Sequence, residues 1–128
     1  MGRLAAHKAN ALLAQGAAEL QSRVLLHGDY CLPNVILDNW ALSGFVDLGC
    51  GGVGDRHIDL FWGVWSLWFN LITNRYFSRF LDAYGRDRAY EDFLQLIAAA
   101  EAFAAYPPNS PLFSKSSTIP HVYLQLTL

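Results

Sequence analysis

The sequence predicts an α+β fold, mainly helical, in which a short β-hairpin lies between polar loops. Three observations carry this reading. Apolar residues recur at helical spacing near the N-terminus and again through most of residues 59–105. Short apolar runs at 24–26, 35–37 and 42–46 have strand length and are bounded by turn residues. Between and beside these runs, the stretch from His27 to Asp59 collects both cysteines, two of the four histidines and several Asp and Gly residues into short polar loops.

The elements follow in order. Ala5, Ala9, Leu12, Leu13, Ala17 and Leu20 line one side of an amphipathic helix over residues 4–20, with Lys, Gln and Glu opposite. Val24, Leu25 and Leu26 form a short run expected to be a buried strand, ending at the His27-Gly28-Asp29 loop. Residues 35–37 and 42–46 make a hairpin with its turn at Asp38 and Asn39. From Asp47 to His57 the glycines Gly49, Gly51, Gly52 and Gly54 predict a loop without regular structure. The run from Asp59 onward, through Leu60, Phe61, Trp62, Val64, Trp65, Leu67, Trp68 and Phe69, is apolar nearly all round and predicts a helix buried on most sides. Further helices are expected at about 74–84, stopped by Gly85, and at about 90–105, ended by Pro107 and Pro108. Residues 106–128 form a tail of loop-like composition, open to disorder, whose last eight residues alternate like a strand.

Composition narrows the functional classes. A chain of 128 residues accommodates one domain with a core and is short for two. A net charge of −2 and a pI near 6.0 leave no basic footprint, so no nucleic-acid partner is expected. The apolar run from Leu60 falls short of the roughly 18 residues of a membrane span, so no membrane partner is expected either. Two cysteines and no N-terminal apolar leader predict free thiols in a reducing, cytoplasmic setting. The hydrophobic fraction of 53% is high for a free domain and suggests apolar surface that meets something else.

Three chemistries compete for the central stretch. Gly49, Gly51 and Gly54 satisfy G-x-G-x-x-G, but no βαβ unit follows and Asn74 stands where the dinucleotide fold places an acid. His27, Cys31, Cys50 and His57 are ligand types that zinc accepts, yet their spacings are unlike those of paired zinc ligands, and buried thiols with satisfied histidines are the ordinary alternative. The phosphoryl-transfer reading explains the most residues. His27-Gly28-Asp29 with Asn34 keeps the spacing of H-R-D-x-x-x-x-N, and Asp47-Leu48-Gly49 stands where D-F-G belongs, one hairpin later. In that chemistry an Asp takes the proton of an attacking hydroxyl, while an amide oxygen and a second carboxylate hold Mg²⁺, a hard cation suited to oxygen.

HGDYCLPN (27–34), SGFVDLG (43–49), GDRHIDL (54–60), RFLDAYG (79–85) and AAAEAF (98–103) together resemble the aminoglycoside 3′-phosphotransferase family, over about residues 22–103. The resemblance implies the C-terminal lobe of a protein-kinase-like fold, spanning residues 1–105, with the β-hairpin carrying the catalytic and metal loops. It implies an enzyme that phosphorylates an aminoglycoside hydroxyl with ATP and Mg²⁺, conferring antibiotic resistance. By the same resemblance Asp29 is the catalytic base, Asn34 and Asp47 are the metal ligands, and Glu101 joins Asp29 in an acidic drug-binding surface. His27 and Asp59 support the catalytic loop. The chain departs from the family in three places. Cys50 stands where members often carry Arg, Trp65 and Ser66 stand where members can carry Arg-Asp, which predicts altered substrate contacts, and some 25 residues follow the Phe103 position at which the family ends. The family holds ATP with an N-terminal lobe, and only 26 residues precede His27, so the expected form is a truncated lobe with an incomplete ATP site. The alternative expectation is a non-catalytic fragment or interaction module.

Overall fold

The computed structural model describes residue 16 and residues 20–105. Gln21–Tyr90 form one compact unit, and the helix Glu91–Ala105 belongs with residues 16 and 20 to a second. Of the helix expected over 4–20, Gly16 is helical and the rest, Leu20 apart, lies outside the described residues, as do residues 106–128. The fold is mixed, with three helices and two small sheets among the described residues.

The first sheet pairs β1 (Val24–Leu26) antiparallel with β4 (Gly52–Gly54), Leu25 opposite Val53. The expected buried run at β1 is instead half out. Leu26 is 9% exposed, whereas Leu25 and Val53 are 85% and 66% exposed, because successive side chains in a strand point to opposite faces. β4 corrects the expectation of a structureless glycine loop. A Cβ on Gly54 would lie 2.7 Å from Leu26 Cδ1, so the missing side chain leaves room for the Leu26 methyl.

The second sheet is the hairpin, β2 (Val35–Asp38) with β3 (Ala41–Phe45), in the register Val35 to Phe45 and Asp38 to Ala41 with an irregularity at Ile36/Leu37. The turn falls one residue later than expected. Asn39 and Trp40 both have positive φ, 48° and 66°, the geometry of a two-residue turn that follows the twist of the strands.

Helix α1 (Arg56–Leu71) begins three residues before the expected start at Asp59. Its N-cap is Asp55, whose carboxylate accepts from the His57 N–H at 2.9 Å. It ends at Ile72, left-handed at φ 51°, whose N–H reaches Trp68 O at 2.7 Å. The helix is not buried nearly all round: His57, Leu60, Phe61, Val64 and Ser66 are inside, while Phe69 and Leu71 are exposed. Helix α2 (Phe77–Tyr84) buries Leu81 completely and stops at Gly85, φ +121°, as the sequence predicts. Helix α3 (Glu91–Ala105) carries the buried residues Leu94, Leu96, Ile97 and Ala98 of the second unit. No helix among the described residues is long and apolar enough to cross a membrane.

Candidate functional site

The loop between β1 and the short 3-10 turn Leu32–Asn34 is built around one carboxylate below it and one within it. Asp59, in the first turn of α1, accepts from the backbone N–H of His27 at 2.7 Å and of Gly28 at 2.9 Å, one with each oxygen. These charge-assisted bonds satisfy two loop donors from a single side chain. Gly28 has φ +87°, and a Cβ there would sit 2.0 Å from the Cys50 carbonyl oxygen, so only glycine fits.

His27 is buried and uses both ring nitrogens. Nδ1 accepts from the Asp29 N–H at 3.2 Å, which leaves the ring proton on Nε2, where it is donated to the Val46 carbonyl at 2.8 Å. The Val46 N–H in turn donates to the Asn34 carbonyl at 3.0 Å. Both backbone polar groups of Val46 are thus tied to the first loop, and the next residue is Asp47.

Asp29 is half-buried. Its Oδ2 accepts from Asn34 Nδ2 at 3.1 Å and its Oδ1 from the Cys31 thiol at 3.2 Å. Asn34 Nδ2 also donates to the Asp29 carbonyl at 2.9 Å, so the amide oxygen of Asn34 is turned away from Asp29. Burial, the Asp29 hydrogen bond and the Asp29 charge push the Cys31 thiol up to about 11 against an opposing hydrogen bond from Ser66. The thiol therefore stays protonated at neutral pH and acts as a donor. Asp47 is exposed and left-handed at φ 59°, and its carboxylate meets no hydrogen-bond or ionic partner among the described residues. Glu101 lies on α3 in the second unit, half-buried.

One stripe of α1 supports this loop. Asp59, Gly63 and Ser66 follow at helical spacing, so they share a face. Gly63 receives the rings above it: a Cβ there would meet Phe80 Cζ at 2.6 Å and Tyr30 Cδ1 at 3.1 Å. Ser66, 1% exposed, accepts from the Leu32 N–H at 2.7 Å. The expectation that this position alters substrate contacts meets a serine turned into the protein. Tyr30 packs against Phe45, Phe80 and His27, and burial together with the Asp59 charge raises its phenol. Ser66 and Cys31 take parts in this site that the sequence reading does not give them, since it weighs Cys31 only as a zinc-type ligand and Ser66 only as a departure in substrate contacts. Ser66 had a signal, being the one hydroxyl in the apolar helix and two turns beyond Asp59.

A second polar cluster braces the start of α1. Asp55 accepts from Ser22 N–H and Oγ at 3.0 and 2.8 Å and from His57 Nδ1 at 2.7 Å, and His57 Nε2 accepts from the Tyr90 N–H at 3.0 Å. Burial alone would raise the Asp55 carboxyl, but the hydrogen bonds from His57 and Ser22 outweigh it and hold the group below its usual value. His27 and His57 each have both ring nitrogens engaged by protein groups, which leaves neither free for zinc. Among the described residues no three His, Cys, Asp or Glu side chains gather into a metal cage. A cation at Asn34 and Asp47 would rest on one amide oxygen and one carboxylate, a set that suits Mg²⁺, which keeps several waters.

Residues 2–107 match the phosphotransferase enzyme family over most of the chain. The chain belongs to that family. Within the family it is 63% identical over 84 residues to a probable aminoglycoside 3′-phosphotransferase of Lactococcus lactis subsp. lactis (strain IL1403), covering 66% of this chain and 32% of the relative. It is 39% identical over 92 residues to an aminoglycoside 3′-phosphotransferase of Niallia circulans, covering 72% of this chain and 35% of the relative. It is 46% identical over 59 residues to a streptomycin 3″-kinase of Streptomyces griseus, covering 38% and 22%. The chain therefore spans about a third or less of the length of these phosphotransferase relatives.

Proposed function

We propose that this phosphotransferase-family chain is the C-terminal lobe of an aminoglycoside O-phosphotransferase, acting in the cytoplasm on ATP and an aminoglycoside hydroxyl. The observation that carries the proposal is the arrangement around Asp29. Its carboxylate is fixed by donors from its own loop, Asn34 turns its amide oxygen away from it, and Asp47 presents a carboxylate that meets no partner among the described residues. In this reading Asp29 orients the substrate hydroxyl and accepts its proton as the oxygen attacks phosphorus. Asn34 and Asp47 would hold Mg²⁺, which when bound offsets the negative charge of the phosphates. His27 and Asp59 keep the two loops in register, and Glu101 with Asp29 offers acidic groups to a polycationic sugar. The conformation of Asp47 supports its part, since a non-glycine residue held left-handed, with no partner among the described residues to reward it, is a common mark of a working site.

A second reading, a non-catalytic interaction module, rests on the exposed apolar residues Leu25, Trp40, Val53 and Ile72. One experiment separates the two. Kanamycin-dependent ATP turnover in Mg²⁺ is measured for the chain alone and for the chain mixed with the remaining segment of the Lactococcus lactis relative, each beside Asp29→Ala. Turnover that appears in either setting and is lost in Asp29→Ala supports the phosphotransferase lobe. Equal background from all four samples overturns it in favour of the module.

A further inference from the structure

The Ser66 hydroxyl has a fixed polarity. Its oxygen accepts from the Leu32 N–H at 2.7 Å and from Asn70 Nδ2 at 3.2 Å, and Asn70 Nδ2 is also committed to the Ser66 carbonyl at 2.8 Å. With both acceptor positions of the oxygen taken by N–H groups, the hydroxyl proton must be donated onward. The Leu32 N–H held in this way belongs to the residue next to Cys31, which ties that stretch of the loop to α1. The Cys31 thiol donates its own S–H to Asp29 Oδ1 at 3.2 Å.

We infer that Ser66 and Cys31 are positioning residues, Ser66 by holding the Leu32 N–H to α1 and Cys31 by a thiol hydrogen bond that fixes the rotation of the Asp29 carboxylate. Asn34 holds Oδ2 and the thiol holds Oδ1, so neither oxygen is left to rotate, while a carboxylate's remaining lone pairs stay open to a hydroxyl. The inference rests on the proposed role of Asp29 for its catalytic meaning, and on geometry alone for the hydrogen bonds. It changes the status of the loop cysteine from packing to orientation. It also explains what a serine does in a helix otherwise filled with large apolar residues.

The test has two arms on the full chain. In the first, the S–H stretching band is recorded by Raman spectroscopy in Cys50→Ala, which isolates Cys31, and in Cys31→Ser, which isolates the exposed Cys50. The Cys31 band is expected at lower wavenumber than the Cys50 band, and adding Asp29→Asn is expected to move it back towards the Cys50 position. A Cys31 band that coincides with that of Cys50, or that Asp29→Asn leaves in place, overturns the inference whether or not the chain turns over ATP. In the second arm, under the conditions that give turnover, Cys31→Ala is expected to lower kcat about tenfold with little change in the aminoglycoside KM, the scale of one lost hydrogen bond to a charged group. Cys31→Ser, which keeps a donor, is expected to restore most of that loss. Loss of kcat in Cys31→Ala that serine does not restore overturns the positioning role. Absence of turnover in the parent chain counts against the phosphotransferase reading, with the Raman arm still deciding the hydrogen bonds.

Discussion

At the scale of single residues, the carboxylates of the site divide into those that hold the fold and those that the fold holds out. Asp59 accepts two backbone N–H groups, and an amide in its place offers one oxygen and no charge. Asp59→Asn is therefore expected to cost about 2–4 kcal/mol, read from urea denaturation. Asp47 touches no partner among the described residues, and Asp47→Asn is expected to leave the same measurement unchanged within about 0.5 kcal/mol. Gly28→Ala meets both a positive φ and the Cys50 carbonyl, and is expected to lose more than about 2 kcal/mol in the same assay. Asp55 adds a pH dependence whose sign follows from its depressed folded-state value. Its stabilisation is fully present above the unfolded value of about 4 and is lost as pH falls through the lower folded value. Urea midpoints measured from about pH 5 downward should fall less steeply in Asp55→Asn than in the parent.

At the scale of elements, α1 organises the site: its cap, its first turn and its next two turns each supply one contact, from Asp55, Asp59, Gly63 and Ser66. Gly63→Leu should displace Tyr30 and Phe80 and cost about 1–3 kcal/mol by overpacking, with the loss of ring contacts visible in near-ultraviolet circular dichroism. The elements differ in how legible they were. The hairpin, the stop of α2 at Gly85 and the extent of α3 follow from local signals: alternation, a glycine cap and helical spacing. β4 was hidden because Gly-Val-Gly has no strand preference of its own. It becomes a strand only by pairing with Val24–Leu26, some 28 positions earlier, a non-local event that no window of sequence contains. The early start of α1 was readable in principle, since Asp55 is a strong N-cap residue, but the preceding glycines masked it. The spacing of Asp29, Asn34 and Asp47 was legible. The thiol that donates to Asp29 and the hydroxyl that holds its loop were not, because Ser66 lies 34 positions beyond the Leu32 N–H and meets it only when α1 passes beneath the loop.

At the scale of the whole molecule, the surface of the described residues is unusually apolar. Leu25 and Val53 stand side by side across β1 and β4, and Trp40 is 95% exposed at the hairpin tip. Replacing Leu25 and Val53 with Thr, which keeps strand preference, should raise the concentration at which light scattering first reports association, without shifting the far-ultraviolet spectrum. Val46, tied through its N–H to Asn34 and through its carbonyl to His27, bears on motion. A residue anchored through both its N–H and its C=O is not released by the loss of either bond alone, so the loops carrying Asp29 and Asp47 should open to solvent as one cooperative event. In native-state hydrogen exchange the amides of Gly28 and Val46 should then share one opening free energy, and His27→Ala should split that shared value into two.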